Sequence, residues 1–212
     1  MRDIDGNGYK TVKIGKQIWM AKNLKTTTFN DGTPIPQVTG ESEWEDLETP
    51  GYCYYNNSTD VKFQKKWGAL YNWYSVQTGG LAPKGWRVPT DDDWKVLQNY
   101  MVANGHNYNG SKEDNKIAKS LAAKTDWEID TDAGTPGNNP KNNNKSGFSA
   151  LPGGYRNGNG DFDYQSDRGY WWSATENGAF YAYNRLLYYD YEGLYRNYYA
   201  KKYGFSVRLI RD

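Results

Sequence analysis

Few residues in this chain could do chemistry, and their spacing decides what kind. Asp3-x-Asp5-x-Asn7-Gly8 has the oxygen-rich opening of a calcium loop. Ile14 stands where such a loop needs its bidentate Glu, so the motif reads as a turn before a strand. Asn159-Gly160-Asp161-Phe162-Asp163 also reads as a turn, since Asn, Asp and Gly bend chains routinely. Cys53 is the single cysteine, with no partner in the chain for a disulfide, and reads as a small packed residue. His106, the single histidine, sits in a Gly/Asn-rich stretch with no orienting partner in view, so a Cys–His nucleophile is not expected. Asp91-Asp92-Asp93 is explained by a helix start, where the dipole favours negative charge. Pro152-Gly153-Gly154 lacks the Gly-Lys-Ser/Thr of a phosphate loop. Lys65-Lys66 and Lys201-Lys202 read as solvated pairs. No catalytic, metal-ligating or cofactor-holding residue is assigned, and the expectation is a protein without enzymatic activity.

Recognition is the chemistry that remains. Residues 177–203 hold nine of the 20 tyrosines, with Asn177, Asn184, Asn197 and Asp190 among them. Tyrosine offers a stiff amphipathic surface at little entropy cost, and asparagine adds adaptable hydrogen bonds. A contiguous exposed patch of this kind marks a partner site. The candidates are Tyr181, Asn184, Tyr188, Tyr189, Tyr191, Tyr195, Asn197, Tyr198 and Tyr199, expected on one face, with some of them packing inward instead. A protein or cell-surface ligand is expected. Aromatic rings also stack on sugars, so carbohydrate stays open.

These side chains need a scaffold. A chain of 212 residues can bury a core as one domain over 1–212. Aromatics make up 17% of it, so the core should rest on Trp, Tyr and Phe. A net charge of +1 leaves no footprint for nucleic acid or an anionic membrane. No apolar run nears the ~18 residues of a membrane span. Met1-Arg2-Asp3 shows no leader and reads as the start of a domain cut from a longer protein.

The chain should open on a hairpin turning at Gly15-Lys16, with Val12, Ile14, Ile18 and Met20 on one face. Residues 30–52 read as loop. Trp67–Tyr74 reads as helical or mixed, its aromatics inward. Pro83-Lys84-Gly85-Trp86-Arg87-Val88-Pro89 reads as a short strand closed by proline. Thr90 should cap a helix with Trp94, Leu97 and Met101 as its apolar stripe, stopped at Asn104-Gly105. A second helix is expected over about 113–124, a long exposed loop over 130–147, and strands thereafter. Phe205–Ile210 should be an alternating final strand. Segregated helices and strands predict an α+β fold.

Several strings resemble the Fibrobacter succinogenes major paralogous domain. They are Asp3–Leu24, Gly68-Ala-Leu-Tyr-Asn-Trp, Ala82-Pro-Lys-Gly-Trp-Arg-Val-Pro-Thr, Phe148-Ser-Ala-Leu-Pro-Gly-Gly-Tyr-Arg, Gly169-Tyr-Trp-Trp-Ser-Ala-Thr-Glu and Tyr203-Gly-Phe-Ser-Val-Arg-Leu. The resemblance covers nearly the whole chain. It implies a C-type-lectin-like fold with N- and C-terminal strands paired, two helices, long loops and a strand-rich C-terminal half. It also implies a bacterial protein at the cell surface or secreted, or alternatively on a phage tail. The same scaffold serves variable proteins of diversity-generating retroelements, whose C-terminal region is rewritten at adenines. An Asn codon changed at its adenines yields Asn, Asp, Tyr or Ser, and the Tyr, Asn and Asp of 177–203 agree with that. Ala182, Tyr183, Leu187 and Leu194 match positions that relatives keep small, apolar or aromatic. The lectin calcium motifs Glu-Pro-Asn and Trp-Asn-Asp are absent, and Cys53 lies far from where formylglycine-generating relatives keep their reactive cysteines. Three readings stay open: a diversified binder, an invariant carbohydrate-binding or adhesin module, and an enzyme on the same scaffold. Oligomeric state stays open too.

Overall fold

The computed structural model describes residues 1–212. The first hairpin pairs β1 (Thr11–Ile14) with β2 (Gln17–Met20), and Gly15-Lys16 makes the two-residue turn. Gly15 adopts φ 63°, and a Cβ there would meet the Tyr100 ring at 2.8 Å, so glycine is required twice over. Because Ile14 pairs with Gln17 and Val12 with Trp19, the expected apolar face is divided. Val12 and Ile14 share a face with Trp19, while Ile18 and Met20 lie on the other. A two-residue turn sets that parity, and the hairpin feeds two cores instead of one.

After a loop come the short helix α1 (Glu41–Glu45) and strand β3 (Tyr52–Cys53). The Trp67–Tyr74 stretch is not one helix. Helix α2 (Val61–Trp67) stops at Gly68, whose φ of 79° lets the chain pass Leu24 O; strand β4 (Leu70–Tyr71) pairs with β3; and helix α3 (Trp73–Gln77) starts on an Asn72 cap. Trp67, Tyr71 and Trp73 do point inward.

Strand β5 (Trp86–Arg87) leads into α4 (Asp91–Ala103). Thr90 and Asp93 form a reciprocal capping box, and Trp94, Leu97 and Met101 are buried, as the spacing requires. The second helix is far shorter than expected: α5 covers Ala118–Leu121 only. Asn107 is the reason. Its amide donates to carbonyls of Ser111 and Glu113 and accepts from Lys116 N, so a side chain claims the backbone groups a helix start would use. The 130–147 loop is long but not wholly exposed, because Thr135 and Asn143 are buried and Gly137 N donates to Tyr189 O at 2.7 Å.

The C-terminal half holds β6 (Gly153–Arg156), β7 (Phe162–Gln165), β8 (Arg168–Glu176), β9 (Tyr181–Tyr188) and β10 (Tyr195–Ala200), in sheet order β10-β9-β8-β6-β7. Strand β11 (Ile210–Arg211) pairs with β2 and β5, so the two ends of the chain meet in a sheet ordered β1-β2-β11-β5. The fold is α+β, with few helices and a strand-rich C-terminal half.

Strand β8 divides the interior. Its neighbours Trp171 and Trp172 point to opposite faces, Trp172 into a core with Tyr71, Tyr170 and Phe205, and Trp171 into one with Trp19, Trp94 and Phe148. Phe205–Ile210 runs between these layers and is buried throughout, not on alternate residues. Arg208 is therefore interior; its guanidinium donates to Asn23 Oδ1 (2.9 Å) and to the carbonyls of Met20 (3.2 Å), Ser149 (2.8 Å) and Phe148. Arg156 is used likewise, gathering the carbonyls of Val38, Thr39, Gly40 and Gly160 between the Trp44 and Phe162 rings.

Candidate functional site

Strands β9 and β10 form a hairpin at the sheet margin, with β10 as the edge strand. The register pairs Tyr195 with Leu186, Asn197 with Asn184 and Tyr199 with Ala182. It pairs Arg196 with Arg185, Tyr198 with Tyr183 and Ala200 with Tyr181. Alternation therefore puts Tyr188, Tyr195, Asn197 and Tyr199 on one face and Tyr181 and Tyr198 on the other. The candidates do not share one face, because a tyrosine-rich run of consecutive residues in a strand must project both ways.

Two separate patches result. On one, Tyr181 and Tyr198 meet edge-on at 5.7 Å, and the Arg196 guanidinium lies 3.8 Å from the Tyr183 ring centre. Phe180 extends this patch and is 76% exposed. A cavity of about 360 Å³ beside it is walled by Glu45, Asp46 and Glu48. Sequence reasoning missed Phe180; it lies just past the Asn177-Gly178 turn, and a Phe beside a turn is the signal that could have found it.

On the other patch, Tyr191 stacks on Tyr195 at 4.3 Å and Tyr188 meets Tyr195 edge-on at 5.1 Å. With Tyr189, Asp167, Arg168 and Asp190 they line a cleft of about 390 Å³. Arg168 stacks on Tyr188 at 4.6 Å and pairs with Asp167 at 3.1 Å. Burial pushes the Tyr188 phenol up, against the pull of Arg168, and the hydrogen bond with Tyr195 pushes the Tyr191 phenol up. Both stay protonated donors at neutral pH, while Asp167 and Asp190 supply acceptors. A stacked ring pair beside converging donors and acceptors can hold a planar or polyhydroxylated group.

Two candidates belong to the interior. Asn184 is 0% exposed, so it cannot face a ligand, and neither its amide nitrogen nor its oxygen has a partner in the chain. Tyr199 is half-buried among Tyr155, Tyr170 and Phe205. Ala182, Leu187 and Leu194 pack inside, as read from the sequence, whereas Tyr183 is half-buried beneath Arg196.

The hairpin is tied to the body through α4. Asp91 accepts from Arg185 (2.8 Å), Arg196 (2.9 Å) and Lys95 (2.9 Å), and its N–H donates to Thr175 Oγ1 at 3.0 Å. The three aspartates thus do more than favour a helix start: Asp92 pairs with Lys95, and Asp93 closes the cap and holds Arg87.

The remaining reactive groups lie elsewhere. Asp3 accepts from Asn7 N and the Tyr9 hydroxyl, and Asp5 accepts from Thr27 N. Cys53 is buried, and burial pushes its thiol up to about 12. His106 has a neighbour the sequence did not reveal, Ser120 Oγ at 3.1 Å from Nδ1, and burial with the Lys145 charge pushes its pKa down. No helix is long and apolar enough to cross a membrane.

The geometry defines an α+β domain that carries tyrosine clusters on an edge hairpin. The family model described as the Fibrobacter succinogenes major domain matches residues 12–211, so the chain belongs to that family. Neither the curated proteins nor the solved structures yielded a match.

Proposed function

We propose that this chain is a non-enzymatic ligand-binding domain on a C-type-lectin-like scaffold, acting at a cell surface or in secreted form, and that the β9–β10 hairpin is its recognition surface. One observation carries the reading: the stacked Tyr191–Tyr195 pair opens onto a cleft instead of a core. Monomers rarely leave contiguous aromatic clusters in water, and those that do commonly carry a partner site there. The ligand is a protein or a cell-surface structure. A fixed carbohydrate ligand is the second reading, favoured by the carboxylates Asp167 and Asp190 beside the stacked rings.

We further propose that 177–203 is the diversified region of a retroelement variable protein. The exposed tyrosines on β10 and in the β9–β10 turn support this, since an edge strand tolerates new side chains better than a central one. The test is deep sequencing of this gene's 3′ end in a natural population, paired with glycan and cell-surface protein arrays. Substitutions concentrated at adenines within 177–203, with 204–212 fixed, are expected. An equally quiet gene refutes diversification and turns the search to one invariant glycan. A wild-type chain that binds neither array, or one that binds unchanged in Y191A/Y195A, refutes the hairpin as the recognition surface.

A further inference from the structure

Away from the hairpin lies a groove of about 520 Å³. Its floor is aliphatic, formed by Val12, Ala21, Ala123 and Leu151. Its rim carries Lys10, Lys22, Lys65 and Lys66, and no carboxylate lines it. Lys66 is held by Asp126, but Lys10, Lys22 and Lys65 have no ion pair. Burial pushes Lys25 nearby below its ordinary value; Asp3 opposes the shift, and Lys65 and Lys22 add to it.

The groove runs against an open sheet edge. Strand β1 is the outermost strand of its sheet. Ala21 N donates to Lys10 O at 2.9 Å, and Ile14 faces Gln17 across the turn. Lys10, Val12 and Ile14 therefore turn their backbone groups toward β2, and Thr11 and Lys13 turn theirs outward. Both are exposed, and no other segment pairs with them.

We propose that groove and edge form one docking site for an extended, acid-rich peptide segment of a partner protein, added to β1 as a further strand. Its aliphatic side chains meet the floor, and its carboxylates meet the lysines. Three features select this occupant. The open edge offers main-chain hydrogen bonds that a polypeptide completes. The floor has no aromatic ring on which a sugar could stack. The site is concave, so a flat membrane touches only its rim. Lysines on an edge repel basic strands and discourage neutral ones, and the same charges admit an acidic one. This site is independent of the tyrosine hairpin.

The test uses the full chain and a fluorescein-labelled peptide of roughly eight alternating Glu and Val residues, a common strand length. Fluorescence polarisation should show saturable binding that weakens with added NaCl. The K22E/K65E variant, altered only at exposed side chains, should bind at least about tenfold more weakly, since attractions become repulsions. Its thermal midpoint should match wild type. A peptide N-methylated at alternate amides should fail to bind, and hydrogen exchange at Thr11 and Lys13 should slow on addition of the unmodified peptide. Absence of saturable binding overturns the proposal, and the lysines then serve only to guard the edge. Equal binding of the N-methylated peptide also overturns it, because charge alone would then suffice.

Discussion

Replacing Asp91 with Asn tests how the β9–β10 hairpin is held. The carboxylate is buried, accepts from three cations, and touches an Arg185 that is 1% exposed. Arg185 Nε has no partner, and the two terminal nitrogens reach only Asp91 and the Asn184 carbonyl, so the guanidinium depends on Asp91 for its charge balance. Two unit charges about 4 Å apart at an effective dielectric near 20 interact by about 4 kcal/mol. Breaking a buried pair from one side costs about 3–5 kcal/mol, because the remaining charge stays buried. D91N should therefore lose about 4 kcal/mol in urea unfolding followed by tryptophan fluorescence at pH 7. R196A should lose no more than about 1 kcal/mol, since that arginine is half in water. Adding R185M to D91N should restore most of the loss, since no charge is then stranded.

The pH dependence has a definite sign. Burial pushes the Asp91 carboxyl up, but hydrogen bonds from Arg196, Lys95 and Arg185 outweigh it and hold it well below the usual carboxylate range. Its stabilisation is complete above the unfolded value of about 3.9 and is lost as pH falls through the lower folded value. Wild type should thus lose more stability below about pH 4 than D91N does. A loss under about 1 kcal/mol for D91N at pH 7, or one matched by R196A, would refute a buried charge anchor.

Four further outcomes are expected. R208K should cost about 3–5 kcal/mol in the same unfolding assay, because an ammonium cannot span the carbonyls of Met20, Phe148 and Ser149 and leaves some unpaired. N184L should cost less than about 1 kcal/mol or add stability, since the amide it removes has no partner in the chain; a loss above about 2 kcal/mol would mean the amide is satisfied. Cys53, with its thiol pushed up to about 12, should react with a disulfide reagent at pH 8 only as fast as the chain opens, and immediate labelling would show the site is not closed. Y195A should abolish binding of any ligand selected on the hairpin while changing stability by about 1 kcal/mol or less, as for an exposed residue.

Periodic signals on single elements were legible in the sequence. Thr90 with Trp94, Leu97 and Met101 gave the α4 cap and stripe, and Gly15-Lys16 gave the first turn. What failed depended on partners remote in sequence. The divided hairpin face needed the Ile14–Gln17 register, and the short α5 needed the reach of Asn107. Phe205–Ile210 alternates in hydrophobicity yet lies between two layers, so Arg208 at a nominally outward position found carbonyls instead of water. At the hairpin, composition pointed to tyrosine recognition, but only the strand register separates Tyr195 from Tyr198 and removes Asn184. Phe180 and the Asp91 anchor carried no periodic mark at all.

Arg156 and Arg208 have a wider consequence. A guanidinium ringed by carbonyl oxygens is an internal cation, covalently supplied, in the role that a bound metal ion plays in other loop-rich domains. The charge that gathers these loops is carried by the chain itself. The carbonyls gathered come from residues 20, 38–40, 148–149 and 160, all outside 177–203. The loop contacts of these two arginines thus lie on stretches of the gene separate from the β9–β10 hairpin.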